Sequence, residues 1–315
     1  MKQKGKFNQT EQMCMLYLGT VLFFLAASFL LAWTAGLLPV PLPLRLVLSE
    51  TFVVLPSLFF LRRRHLSLHQ VNRPDRHLEF LSFLLMIPTS FFLAVTVSFI
   101  SFITALPFGN GAADSLKEAA AWPTALNVVT FAVFPALVEE TVFRSILFRG
   151  LRKHGFWKAA LTSSLFFGLL HMNINQFSYA FVLGMVFCLL REATGSFWSS
   201  VMAHFCINFF SVLSLRQLTE GGSAEISLSS TASASVNLFT GSLLFIAAVI
   251  CFALVLLNLW LIAGIHDRLE YMAWLFRGGE RKYLRKLPRE KLACPALALA
   301  VVVPSGFLLL MQFVF

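Results

Sequence analysis

The stretch VEETVFRS places Glu139, Glu140 and Arg144 at the end of ALNVVTFAVFPALV, a run with no charge at all. Farther along, FFGLLH ends in His171, and HFCIN runs from His204 to Asn208. Carboxylates and imidazoles can move a proton to or from water, and imidazole and amide N–H groups can donate to a developing oxyanion. Helical spacing sorts them. Glu140 and Arg144 are i,i+4 and share a face, whereas Glu139 and Arg144, five apart, point about 140° from one another. Arg144 is therefore expected to pair with Glu140, leaving Glu139 facing elsewhere. A carboxylate in low dielectric without a cation binds its proton more tightly, which suits a general base. Phe167 and His171 are also i,i+4, as are His204 and Asn208, so each pair shares a face. The bland alternative is a buried ion pair that sets helix packing, with histidines that only hydrogen-bond in a core.

These residues must be held by elements that cross a membrane. The chain is 58% hydrophobic and only 13% charged, with a mean hydropathy of +0.78, against about 25% charged residues in soluble domains. A bilayer core of about 30 Å needs roughly 20 apolar helical residues. That template gives an all-α, polytopic bundle of eight to nine spans, near 15–36, 43–61, 79–104, 122–148, 157–173, 176–191, 197–215, 237–264 and 294–314. With a cytoplasmic N-terminus, 21 of the 25 Lys and Arg fall on the inside and three outside, leaving Arg144 within a span. This asymmetry supports the count and the orientation. It also accounts for the net charge of +10 without a nucleic-acid partner. The first span follows a basic segment but is too long for a cleaved signal peptide, so it reads as a retained anchor. The five cysteines show no C-x-x-C pair and read as reduced thiols. Ser-rich 218–236 reads as an outer loop. Basic 266–293, with interleaved apolar residues, reads as lying partly on the inner membrane surface.

Ionisable groups inside spans are costly and are functional candidates by default. They are Glu50, Glu139, Glu140, Arg144, His171 and His204. Counting about 1.5 Å per residue from the inner edge, Glu139 lies about 15 Å deep, His204 about 10 Å and His171 about 20 Å. A tilted or half-length span would bring His171 to the level of the others. Glu50 is expected to pair with nearby Arg45.

In this order, Glu139-Glu140-x-x-x-Arg144, Phe167-x-x-x-His171 and His204-x-x-x-Asn208 resemble the motifs of the CPBP family, the CAAX-protease and bacteriocin-processing (Abi) membrane proteins. The segment FVLGMVFCLLREATGSFW (181–198) is similar as well. The resemblance covers residues 122–215, a catalytic core between N-terminal helices (1–121) and C-terminal helices with a basic loop (216–315). It implies an intramembrane endopeptidase. Glu139 and His171 would activate water, His204 and Asn208 would stabilise the oxyanion, and Glu140, Arg144 and Phe167 would support them. The substrate would be a peptide precursor or a membrane protein, and the setting a bacterial plasma membrane.

Glu139, His171 and His204 also make a His₂Glu set of the kind that holds catalytic zinc. The expectation is a metal-free mechanism without cofactor, with zinc as the alternative. H-E-x-x-H and G-x-G-D, which mark other intramembrane proteases, are absent. The competing functional classes are a non-proteolytic scaffold or bacteriocin self-immunity protein, and a proton-coupled transporter. A transporter would favour two related halves with broken spans, which the sequence does not show.

Overall fold

The computed structural model describes residues 8–35, 40–109, 119, 121–220, 233–284 and 291–313, and no strand occurs among them. In chain order the helices are α1 (Gln9–Ala35), α2 (Leu42–Arg63), short α3 (Leu68–Asn72), α4 (Phe80–Phe108), α5 (Thr124–His154), α6 (Phe156–Leu170), α7 (Ile174–Thr194) and α8 (Phe197–Glu220). There follow α9 (Ser233–Ile265), short α10 (Leu269–Phe276) and α11 (Glu280–Leu284), and α12 (Pro295–Phe313). Among the described residues, eight helices are long and apolar enough to cross a bilayer, and the protein is a multi-pass, all-α membrane bundle. Most of the expected Ser-rich loop, and residues 285–290 of the basic segment, lie outside the described residues.

The expected fifth span is the one that falls short. α6 has 15 residues, about 22 Å at 1.5 Å per residue, less than a bilayer core. Its end is set locally. Met172 takes a left-handed φ of 52°, and the Asn173 side chain accepts from the Gln176 amide at 3.0 Å, capping α7. The chain reverses within three residues, and His171 sits at the turn. The two helices approach closely. A Cβ on Gly184 would lie 2.9 Å from that of Ser164, and one on Gly168 would lie 2.9 Å from the Phe177 carbonyl oxygen. Larger side chains there would push the hairpin open.

Burial separates an interior from a rim. In α5, α7 and α8, 56, 61 and 50% of the spanning residues are buried, against 17–33% in α1, α2, α4, α9 and α12. The rim helices direct Phe29, Phe80, Val302 and Phe313 outward, as a lipid-facing surface requires. The interior helices and α6 therefore form one unit held in a collar. α4 packs on α7, α8 and α9, α2 packs on α5 and α1, and α12 closes against α1 and α6.

At the basic end of the bundle the connections are tied together by polar side chains. Arg152 reaches Glu192 at 2.8 Å, the Tyr271 hydroxyl at 2.8 Å, and Glu280. Tyr271 in turn donates to Glu192. Burial, then the Glu192 carboxylate, push the Tyr271 phenol up to about 12, so it stays a donor. Arg76 donates to the His266 carbonyl at 2.5 Å, and the Asp75 and Arg76 amides share the Gly195 carbonyl. These ties fix where α4, α7 and α9 meet. α10 buries Met272 and Leu275 and exposes Leu269 and Trp274, the two-faced pattern of a helix lying at an interface.

Candidate active site

α5 is not a uniform helix. A regular turn, Phe134–Glu140, stands between two π-helical stretches, Val128–Val133 and Thr141–Phe148. Pro135 opens that turn. It has no N–H for the preceding carbonyls, which is a local reason for the widened bonding before it. On the far side Ser163 of α6 donates to the Phe143 carbonyl at 2.7 Å, giving the second wide stretch a side-chain partner. Such π segments are rare and recur at functional sites. Here they bracket Glu139 and Glu140, which end the regular turn.

The two carboxylates converge on one imidazole. Glu140 Oε1 lies 3.0 Å from His204 Nδ1, and Glu139 Oε2 lies 3.5 Å from His204 Nε2. Glu140 also holds Arg144, with Oε2 3.2 Å from Nε and both side chains wholly buried. That ion pair is a matter of proximity rather than alignment, since neither Glu140 Oε2 nor any Arg144 nitrogen makes a well-directed hydrogen bond within the protein. Aromatic faces cover the guanidinium instead. Phe167 lies 4.3 Å and Phe187 5.1 Å from its carbon, the range of cation–π attraction. The same two rings position His204. Phe187 stacks on it at 5.2 Å and Phe167 meets it edge-on at 5.9 Å.

His171 is held differently. Its Nδ1 lies 2.9 Å from the Phe167 carbonyl one turn back. A carbonyl only accepts, so Nδ1 carries the proton and Nε2 keeps its lone pair. The ring stands perpendicular to Phe167 at 5.1 Å. Phe167 thus touches both imidazoles and Arg144. Asn208 lies one turn beyond His204 on α8, half-buried, and its amide makes no hydrogen bond to the described residues. Among the described contacts Glu139 meets His204 rather than His171.

Two residues complete this picture. Phe187 was not a sequence candidate, because a Phe in an apolar run carries no signal until its neighbours are known. Glu50 was a candidate but was expected to pair with Arg45, and the structure corrects this. Five residues apart on a regular helix, the two side chains diverge, and they form no ion pair among the described residues. Arg45 is exposed, whereas Glu50 Oε2 is buried without a partner.

No group of three or more His, Cys, Asp or Glu among the described residues is gathered to hold a metal ion.

Residues 121–210 match the family described as "Type II CAAX prenyl endopeptidase Rce1-like", an interval that contains every site residue from Glu139 to Asn208. The protein named "Putative membrane peptidase YdiL" in Bacillus subtilis (strain 168) is 30% identical over 89 residues, which is 28% of this chain and 36% of that protein. This chain therefore spans about a third of the length of the curated protein it matches. No solved structure matches it. Together with the three motifs on α5, α6 and α8, these matches make residues 121–210 similar to a membrane-peptidase domain of the Rce1-like kind.

Proposed function

We propose that the protein is an intramembrane endopeptidase that hydrolyses a peptide bond with a water activated by Glu139 and His171. The observation that carries this reading is the His171 tautomer. With Nδ1–H committed to the Phe167 carbonyl, Nε2 is ready to accept a proton from water. As the water oxygen attacks the carbonyl carbon, its proton passes to this base pair. The carbonyl oxygen becomes an oxyanion facing His204 Nε2 and the Asn208 amide. For Nε2 to donate while Nδ1 donates to Glu140 at 3.0 Å, the His204 ring must carry both protons. Collapse of the tetrahedral intermediate breaks the C–N bond, and the proton held by the base pair goes to the leaving amine. Arg144 keeps Glu140 charged, and Phe167 and Phe187 hold the rings in register.

Two apolar grooves support a substrate that is itself membrane-bound. One, of about 670 Å³, runs past Val133, Ala136 and Phe205. The other, of about 700 Å³, runs past Val54, Val138 and Thr141. Leu137 and Trp198 border both, and the α5 residues that wall them lead directly into Glu139. An isoprenoid chain or an extended apolar peptide would fit such grooves. The name of the matching family favours a prenylated C-a-a-X terminus, and the plasma membrane is the proposed setting.

The test uses purified protein in lipid nanodiscs and a farnesylated peptide ending in C-a-a-X, alongside comparison of peptides in membranes with and without the protein. Glu139→Gln, His171→Ala and His204→Ala should each abolish cleavage while leaving a folded, inserted protein. Asn208→Ala should lose about 10²–10³-fold, the cost of one oxyanion donor. Chelators should leave wild-type cleavage intact. Loss of activity on chelation, restored by zinc, would replace the metal-free mechanism. Full turnover by Glu139→Gln would remove the protease reading and favour a scaffold.

A further inference from the structure

The groove that passes Val138 and Thr141 does not end in apolar surface. At the basic end of the bundle it meets a polar pocket of about 370 Å³ lined by Gln70, Arg73, Pro74, Asp75 and Arg149. Arg73 and Pro74 border both, so the two are continuous. The segment that carries Arg73 is held on both sides. Arg149 donates to the Val71 carbonyl at 2.9 Å, Asn72 donates to the Thr141 hydroxyl at 3.0 Å, and the Asp75 amide donates to the Gly195 carbonyl at 2.9 Å. Pro74 restricts Arg73 to an extended backbone, and its φ of −56° and ψ of 123° comply.

The cations gathered here lack a matching anion. Arg73 is exposed and forms no ion pair among the described residues. The carboxylate that faces Arg149, that of Asp75, stands off at 3.8 Å, beyond hydrogen-bond reach. Arg191 of α7 is only 8% exposed and likewise forms no ion pair among the described residues. It donates to Ser145 at 3.1 Å and lies 5.9 Å from the ring of Phe197, which walls the groove. A cation buried in this way is costly unless an anion comes to it. Asn72, also on the groove wall, has a buried Oδ1 that accepts no hydrogen bond, which leaves an acceptor for an N–H group. An apolar peptide with a free C-terminus supplies the anion, the N–H groups and the apolar body together. A phospholipid supplies the anion and the apolar body but no row of N–H groups.

We propose that Arg73 and Arg149 bind the free C-terminal carboxylate of an apolar peptide lying in this groove, with Asn72 accepting from the peptide backbone. Arg191 adds positive potential from behind the Phe197 wall. The occupant is then a chain terminus rather than an internal loop, and these residues determine specificity. The length is consistent. Arg149 follows Glu139 by ten residues on α5, at most about 15 Å, and an extended peptide covers about 3.3 Å per residue. Three or four residues therefore separate a bond at Glu139 from a carboxylate at Arg149. The place of the cut rests on the protease reading, but the preference for a free carboxylate does not.

The probes are one farnesylated C-a-a-X peptide made as the free acid and as the C-terminal amide, with binding read by fluorescence anisotropy on Glu139→Gln protein in nanodiscs of neutral lipid. The acid should bind about tenfold or more tightly than the amide, the effect of one charge-assisted contact. Adding Arg73→Gln should weaken the acid about tenfold and leave the amide unchanged. Adding Asp75→Asn, which removes a competing anion, should instead tighten the acid a few-fold, an effect no loss of structure produces. Arg149→Lys, which keeps the charge and loses the fork, should fall between. In otherwise wild-type protein the same changes should appear in KM for the acid, with kcat held. Equal binding of acid and amide, or equal weakening of both by Arg73→Gln, would overturn the assignment. So would phosphatidylglycerol that copurifies with wild type, is lost from Arg73→Gln and abolishes the acid preference when added to the nanodiscs; the pocket would then belong to a lipid headgroup. If the acid preference holds while wild type cleaves neither peptide, the carboxylate site stands and the protease reading falls.

Discussion

Arg144 offers a direct measure of what the buried cluster contributes. Replacing it with Met keeps most of the volume and the contact with Phe167 and Phe187, and removes only the charge. Breaking one side of a buried ion pair typically costs about 3–5 kcal/mol, because the remaining charge stays buried. Here the loss should fall at the lower end, about 3 kcal/mol, since His204 still lies 3.0 Å from the other oxygen of Glu140. Arg144→Ala should be worse by about 2 kcal/mol more, from the cavity beside two rings. Glu140→Gln in the Arg144→Met background should recover part of the loss, because removing both charges leaves none uncompensated. A coupling energy of about 1–3 kcal/mol is expected for groups in contact. The assay is denaturant or thermal unfolding of wild type, Arg144→Met, Arg144→Ala, Glu140→Gln and the Arg144→Met/Glu140→Gln double variant in the same nanodiscs, followed by tryptophan fluorescence and by the monodisperse fraction. Arg144→Met within about 0.5 kcal/mol of wild type, with no coupling to Glu140, would refute the view that this pair is the electrostatic anchor of the site.

Phe187→Leu should keep the protein inserted but lower turnover about tenfold, the effect of about 1.4 kcal/mol, since it removes the ring stacked on His204 and over Arg144; steady-state kinetics with the C-a-a-X probe would show it. For orientation, reporter fusions after Lys6 and Lys158 should report the inside and a fusion within 220–235 the outside; reversal at the last site would break the proposed topology. His266 should make the basic-end connection pH-sensitive. Its ring is buried and its Nε2 has no partner, and burial, opposed by the Glu79 carboxylate and aided by Arg76 and Arg268, lowers its pKa from 6.5. The unfolded segment therefore takes up a proton that the docked one resists, so stability is intact above about pH 6.5 and falls as pH drops below it. The hydrogen-exchange protection factors of residues 263–272, with the intrinsic pH dependence of exchange divided out, should fall between pH 7.5 and 5.5 in wild type, and this fall should be absent in His266→Phe.

Most of the spans, the broad fold class and which ionisable residues lie within spans were legible in the sequence for physical reasons that act locally. An apolar helix long enough to cross lipid announces itself by composition, and ionisable residues inside it stand out because the bilayer makes them costly. The i,i+4 relation of Glu140 to Arg144 is set by helical pitch and needs no tertiary information. What depends on the third dimension is which groups meet between helices. Helical spacing cannot say that His204 would lie between both carboxylates, because that contact depends on how α8 packs on a helix widened on either side of Glu139. It cannot say that α6 stops short at His171, which depends on a three-residue turn and on two glycines closing the hairpin. Phe187 and Glu50 show the limit most clearly. A phenylalanine among 35 becomes part of the site only through the face it turns to His204. A glutamate far before the motif, Glu50, is buried without a partner for its Oε2 only because α2 packs against α5. Sequence spacing determined which residues share a helix face; packing between helices decided which faces confront one another, and in low dielectric that confrontation governs where the charges and protons reside.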